Sequence, residues 1–129
     1  VFDSKMAKRI YASTDMFLVP SYYEPCGLGQ MIALRFGTIP IVRSTGGLAD
    51  SVEEFDPRTQ TGNGFCFKDY TSEALIETVK RAVQVYRDKA QWETLVKNAF
   101  QCDFSWAKSA EKYIKLYEST KRRTVKGAD

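Results

Sequence analysis

The sequence predicts an α/β domain, a Rossmann-like parallel sheet with helices on both faces. Short apolar runs at residues 16–19, 39–42 and 64–67 are typical of buried parallel strands. Amphipathic segments alternate with these runs, and that alternation favours a parallel sheet. Gly-rich turns follow the first two strands, at the sheet edge where open α/β sheets bind ligands.

The first elements are indicated by capping residues and by proline and glycine. Asp3 can cap a first helix, which leads to the strand Met16–Val19. Pro20 ends that strand because it cannot donate to a sheet. The next helix is expected over residues 28–36, with Gly37 as its left-handed cap.

The middle of the chain predicts a second and a third strand. The run Ile39–Val42 leads into a Gly-rich turn, after which a short helix is expected over residues 48–55. Residues 56–63 are rich in turn-forming residues and indicate a loop. The third strand is expected over residues 64–67.

Three amphipathic helices complete the prediction: one capped by Thr71, one over residues 90–100 and one beginning near Ser105. Their aromatic side chains are expected in the core, among them Tyr86, Trp106, Tyr113 and Tyr117. Fewer strands are visible than the roughly five or six of a doubly wound domain. The sequence therefore predicts one incomplete domain, 1–129, whose missing strands lie upstream.

Composition excludes several classes of function. The net charge of +3, from 19 basic and 16 acidic residues, is too small and too dispersed to indicate a nucleic-acid partner. No apolar run approaches the roughly 20 residues that span a bilayer, so no membrane association is expected. No signal-peptide pattern opens the chain.

The cysteine and histidine content limits the possible chemistry. Cys26, Cys66 and Cys102 are odd in number and widely spaced, which favours neither disulfides nor a metal site. A reducing, cytoplasmic location fits. The chain has no histidine, so it lacks the usual general base and the commonest metal ligand.

The segment from Pro20 to Gln30 is the most informative for function. Gly27-Leu28-Gly29 can form a diphosphate cradle of backbone N–H groups at a helix start, or only a tight turn that needs glycine. Glu24 can grip sugar hydroxyls and offset positive charge at an anomeric carbon, or it is an ordinary surface acid. Together they suggest a nucleotide-sugar site.

Two further features near this segment have open interpretations. Thr45-Gly46-Gly47 either is a plain turn or adds a hydroxyl and two N–H donors at the same edge. Cys26 has no histidine to activate it as a nucleophile. We interpret it as a small packed residue whose backbone matters more than its thiol.

The chain resembles bacterial glycogen synthases and plant starch synthases. The resemblance rests on segments that follow one another in order: Pro20-Ser21 with Glu24–Leu28, residues 32–40, Thr45–Asp50, residues 62–67, and residues 103–106 with Ser109, Ala110 and Tyr113. It implies the C-terminal, nucleotide-sugar-binding half of a GT-B glycosyltransferase. It further implies glucose transfer from ADP-glucose, or UDP-glucose in some members, to an α-1,4-glucan with retained configuration. No metal-ligand set is evident in the sequence, so no metal or cofactor is expected.

The resemblance also implies roles for individual residues. Glu24 would be the catalytic residue that holds the donor glucose. The backbone N–H groups of Gly27, Leu28 and Gly29 would contact the diphosphate. Thr45 and Gly46 would line the donor pocket, and Phe2 would stack on the adenine. Cys26 is also among the donor-binding residues that the resemblance implies.

The sequence departs from the family pattern at two positions. Ile32 stands where related retaining enzymes carry a second glutamate, and Gly29 stands where many relatives carry threonine. The cations that neutralise the diphosphate would lie upstream of Val1, and the acceptor-binding residues in an N-terminal domain. The isolated chain is therefore expected to be inactive. The expected location is the cytoplasm, or the plastid if the protein comes from a plant. The alternative is a non-catalytic module that binds nucleotide or glucan.

Overall fold

The computed structural model describes residues 3–126, and the side chains of residues 3–121. Helices and strands follow the predicted α/β order. Their bounds are α1 (Ser4–Ser13), β1 (Met16–Val19), α2 (Gly29–Arg35), β2 (Ile39–Arg43), α3 (Gly46–Ser51), β3 (Phe65–Phe67), α4 (Ser72–Arg87), α5 (Lys89–Gln101) and α6 (Trp106–Lys126).

The three strands form one parallel sheet in the order β1-β2-β3. Ile41 of β2 lies opposite Leu18 of β1 and Phe65 of β3. The strand β2 is central, and four of its five residues are buried. The predicted parallel sheet is confirmed, and both Gly-rich turns leave it at the same edge.

The core is divided by the sheet into two clusters. The larger one joins alternate strand residues, such as Ile41 and Phe65, to Ala82 of α4 and Leu95 of α5. The smaller one joins Val42 of β2, Leu48 of α3 and Val52. Helices therefore cover both faces, because side chains alternate between the faces along each strand.

Side-chain caps explain where several helices begin. The Asp3 carboxylate accepts from the backbone N–H groups of Lys5 and Met6, and the Thr71 hydroxyl accepts from the N–H of Ala74. Asp88 caps α5 in the same way. Gly37 follows α2 with φ +75°, the left-handed conformation predicted for it.

The predicted helix over residues 48–55 is wrong at both ends. The helix α3 begins at Gly46 and ends at Ser51, and the chain then becomes extended. Glu54 forms a parallel bridge with Gly64, and Phe55 donates its backbone N–H to the Gly64 carbonyl. Long-range pairing therefore overrides helix formation after Ser51.

The predicted burial of aromatic side chains in the last helices is also wrong. Tyr86 is 42% exposed, Trp106 is 88% exposed and Tyr117 is 68% exposed. Along α6, every side chain up to residue 121 other than that of Ser109 is exposed. Helical spacing of apolar residues identifies an amphipathic face but does not determine what covers it.

Within residues 3–126, no helix is both long and apolar enough to cross a membrane.

Partial burial of Cys66 leads to a prediction about thiol reactivity. Desolvation, assisted by the neighbouring Glu54 carboxylate, raises the pKa of the Cys66 thiol to about 11. The thiolate is the reactive form, so at pH 8 iodoacetamide should label exposed Cys26 well before Cys66. Unfolding in urea should accelerate Cys66 labelling about 100-fold, since its pKa returns toward 9.0. Peptide mass mapping measures both rates.

The same pKa shift predicts how the stability of the folded chain changes with pH. Between pH 9 and about 11 the unfolded chain has lost the Cys66 proton while the folded chain retains it, so stability should fall across that window. Equal labelling of Cys66 and Cys26 in the folded chain at pH 8 would contradict the assigned burial.

Candidate functional site

The two Gly-rich turns are bonded to each other at the carboxyl edge of the sheet. The backbone N–H of Gly47 donates to the carbonyl oxygen of Glu24 at 2.9 Å. The turn after β2 therefore supports the turn after β1 at the residue predicted to be catalytic. The predicted meeting of these segments at one edge is confirmed.

Gly46 and Gly47 allow the two backbones to approach closely. A Cβ on Gly46 would lie 2.1 Å from the carbonyl oxygen of Glu24, and a Cβ on Gly47 would lie 2.0 Å from that of Cys26. Only glycine fits at such distances. Because the Gly47 N–H is used between the turns, it is not one of the free donors that the sequence suggested.

Glu24 is half-buried beside Gly27. Its Cγ lies 3.0 Å from the position that a Gly27 Cβ would occupy. Among the side chains the structure describes, none pairs with the Glu24 carboxylate through a hydrogen bond or an ion pair. A half-buried acid without a partner remains able to accept hydrogen bonds from a ligand.

The segment Gly27-Leu28 presents backbone donors. Gly27 has φ +71°, a left-handed conformation that favours glycine. Within residues 3–126, neither the Gly27 N–H nor the Leu28 N–H donates to a backbone or side-chain acceptor. A left-handed residue in a turn is a common part of the concave N–H nests that bind anions.

Gln30 was missed by the sequence analysis. Its side chain is buried, and its amide nitrogen Nε2 lies within hydrogen-bond distance of the carbonyl oxygens of Cys26 and Gly27. The only signal in the sequence is a polar residue next to Met31 at the start of an otherwise apolar helix face. That signal does not indicate which way the amide points.

The structure also locates the other predicted donor-binding residues. Cys26 is exposed rather than packed, so that part of its interpretation is wrong. Leu28 is 66% exposed beside the turn. Gly29 begins α2 with its α-carbon facing the Phe17 ring, and the Thr45 side chain makes no capping hydrogen bond at the start of α3. Phe2 lies outside the described residues.

A second missed residue, Arg43, holds the turn that carries Glu24. Its guanidinium donates to the carbonyl oxygens of Tyr22 and Lys68. It also lies over two tyrosine rings, 5.7 Å from the centroid of Tyr22 and 5.5 Å from that of Tyr70. These contacts fix the start of the turn to the end of β2.

Within the described ranges, no three His, Cys, Asp or Glu side chains are grouped closely enough to hold a metal ion. The polar groups that the structure places at the carboxyl edge are instead the Glu24 carboxylate and the backbone N–H groups of Gly27 and Leu28. These are groups that can bind a polar organic ligand carrying hydroxyl and phosphate groups.

Comparison with protein families gives one match over most of the chain. Residues 2–101 match the model of the glycosyl transferases group 1. The matched region contains both Gly-rich turns, Glu24 and Gln30. The match therefore includes the whole candidate site that the structure describes.

Individual relatives agree with that match. A glycogen synthase from Pseudothermotoga lettingae is 56% identical over 123 residues, which are 95% of this chain and 25% of the relative. The catalytic domain of starch synthase IV from Arabidopsis thaliana, solved with ADP and acarbose, superposes with a TM-score of 0.82 at 43% identity, covering 92% of this chain and 25% of that one.

A more distant solved structure has the same fold. The sucrose-phosphate synthase from Thermosynechococcus elongatus superposes with a TM-score of 0.67 at 28% identity, over 95% of this chain and 29% of that one. The chain thus spans about a quarter of the length of the curated relatives it matches.

Proposed function

Since the chain belongs to the glycosyl transferase group 1 family, we propose that it is the donor-binding part of a retaining glucosyltransferase. This enzyme would transfer glucose from ADP-glucose to an α-1,4-glucan. The observation that carries the proposal is the junction of the two turns. There the Glu24 carboxylate, which no described side chain pairs with, adjoins the N–H groups of Gly27 and Leu28, which have no protein acceptor within residues 3–126. The similarity to glycogen synthase and to a starch synthase solved with ADP supports that choice of donor.

The residues of the junction would divide the chemistry between the two parts of the donor. The Glu24 carboxylate would accept hydrogen bonds from glucose hydroxyls and offset positive charge at the anomeric carbon. The N–H groups of Gly27 and Leu28 would meet the diphosphate, whose charge grows as the glycosidic bond breaks. Each preorganised donor in comparable sites contributes about 2.7–4 kcal/mol to transition-state stabilisation.

The remaining predicted roles belong to the same proposal. Thr45, Gly46 and Cys26 would line the donor pocket, and Gly29 would add a third N–H group. Stacking of Phe2 on the adenine stays a prediction, as do the absence of a cofactor and a cytoplasmic or plastidic location. The glucan acceptor would be held largely by residues outside this chain.

Exposed apolar surface supports assignment of the chain to a larger GT-B enzyme. The strand β1 is at the edge of the sheet, and its Leu18 is 47% exposed beside apolar residues of α4 such as Leu75 and Val79. We propose that a further strand of the same polypeptide pairs with β1 there. Large exposed apolar patches usually mark such contacts.

A chimera tests the proposed function directly. This chain replaces the matching quarter of the Pseudothermotoga lettingae glycogen synthase, to which it is 56% identical. We expect the chimera to transfer radiolabelled glucose from ADP-glucose to glycogen. The 129-residue chain alone should give no transfer above background, because in this proposal the diphosphate-neutralising cations and the acceptor residues belong to the parts of the enzyme outside the matching quarter.

Two outcomes would contradict this assignment. One is turnover by the isolated chain, which would show that no further domain is needed. The other is a chimera that folds cooperatively and is inactive, assayed below its unfolding midpoint beside an active parent glycogen synthase. The second outcome would favour a non-catalytic binding module.

A further inference from the structure

Gln30 is a buried polar residue that lies between the two turns. Its side chain is 1% exposed. Its Nε2 lies 3.2 Å from the Cys26 carbonyl oxygen, 3.0 Å from the Gly27 carbonyl oxygen and 3.1 Å from the Ser51 hydroxyl. An amide group has only two N–H donors, so these three acceptors share them. Both N–H donors of the amide are therefore used in hydrogen bonds within the protein.

These hydrogen bonds determine the direction of two peptide groups. In a trans peptide the N–H points opposite to the C=O of the same unit, and no described peptide bond is cis. The Cys26 carbonyl belongs to the unit that carries the Gly27 N–H, and the Gly27 carbonyl to the unit that carries the Leu28 N–H. Because both carbonyls turn toward Gln30, both N–H groups point away from it.

Ser51 extends this support to the second turn. Its hydroxyl accepts from Gln30 and donates to the Gly47 carbonyl oxygen at 2.6 Å. The Gly47 N–H in turn donates to the Glu24 carbonyl oxygen. The segment from Glu24 to Gly27 is therefore held at both ends by one connected set of hydrogen bonds.

We propose that Gln30 is a positioning residue for the donor site. It keeps the N–H groups of Gly27 and Leu28 directed away from its own amide, to the side where the diphosphate would bind, without contacting the ligand itself. The identity of the ligand rests on the proposed function above. The orientation of the two peptide groups does not, and it can be tested separately.

The first experiment replaces Gln30 with methionine in the chimera. Gln30→Met keeps the length of the side chain and removes both donors. We expect kcat/KM for ADP-glucose to fall about 100-fold, with a raised KM for ADP-glucose, since small misplacements of binding groups have effects of that size. The KM for glycogen should stay unchanged. A loss of stability alone would not separate the two substrates in this way.

The matched control is Thr78→Val in α4. Thr78 is 1% exposed and donates a side-chain hydrogen bond to the Ala74 carbonyl oxygen within α4, a bond that involves neither Gly-rich turn. Its replacement also removes a buried hydrogen bond, but it should leave both KM values within threefold of the parent chimera. If Gln30→Met behaves like Thr78→Val, or leaves both KM values unchanged, the positioning role is wrong.

The second experiment needs no enzyme activity. Backbone ¹⁵N relaxation of the 129-residue chain should show increased motion at Gly27 and Leu28 in Gln30→Met but not in Thr78→Val. Unchanged relaxation at both amides would overturn the inference even in an active chimera. An inactive parent chimera with increased motion in Gln30→Met would instead overturn the proposed function while supporting the positioning of the peptides.

Discussion

Replacing Gly47 with alanine is expected to cause the largest loss of stability among single substitutions at the site. The new Cβ would lie 2.0 Å from the Cys26 carbonyl oxygen and 2.5 Å from its carbonyl carbon. These are backbone atoms, so no side-chain rotation relieves the contact. The turns must separate, which also breaks the hydrogen bond from the Gly47 N–H to the Glu24 carbonyl oxygen.

Overpacking and the lost hydrogen bond together give an expected cost of about 3–5 kcal/mol. For a chain of this size that corresponds to a fall of roughly 10–20 °C in the unfolding midpoint. Differential scanning calorimetry of the 129-residue chain measures it. The expectation fails if the midpoint of Gly47→Ala lies within 3 °C of the parent.

Gly29→Ala is the matched control for this substitution. A Cβ at Gly29 would meet the Phe17 ring at 3.0 Å, and a ring can shift by a few tenths of an ångström. Gly29 is also the first residue of the helix α2, and alanine is favoured over glycine in helices by up to about 1 kcal/mol. We expect its stability to stay within about 1 kcal/mol of the parent, so a large loss in Gly47→Ala would report contact between the turns.

Replacing Glu24 with glutamine is expected to cause the largest loss of activity. The substitution keeps the shape of the side chain and removes the charge that would offset positive charge at the anomeric carbon. We expect kcat of the chimera to fall about 10²–10³-fold, the range found when one electrostatic group is removed from an active site. The assay is glucose transfer from ADP-glucose to glycogen at saturating substrate.

Glu24→Gln should not share the loss of stability expected for Gly47→Ala. Because no described side chain pairs with the Glu24 carboxylate, Glu24→Gln should leave the unfolding midpoint unchanged. Glu93→Gln, at an exposed position of α5, is the control for the change in net charge and should retain full kcat. A fall in kcat of less than tenfold in Glu24→Gln would show that the carboxylate is not the catalytic residue.

Local patterns in the sequence were sufficient for the order and type of the elements. The strand β1 begins and ends at the predicted residues, and Thr71 caps α4 as expected. A cap or a strand end depends on residues a few positions apart, so its signal is complete within a short segment. The meeting of the two Gly-rich turns also followed, because parallel strands end at a common edge.

Contacts between distant segments were not predictable in the same way. The extended chain after Ser51 depends on Gly64, and the uncovered aromatic face of α6 depends on what packs against it. The helical spacing of apolar residues is the same whether the face is covered by other elements or exposed. The sequence could therefore indicate an amphipathic helix without indicating its end or its burial.

The sequence by itself determined an α/β sheet, the edge at which the candidate site lies and the candidate roles of Glu24 and Gly27. Tertiary structure alone decided that Gly46 and Gly47 serve the close approach of two backbones, and that Gln30 directs the peptide groups of the first turn. The physical reason is that a steric limit or a hydrogen bond between distant segments exists only once the chain has brought them within a few ångströms.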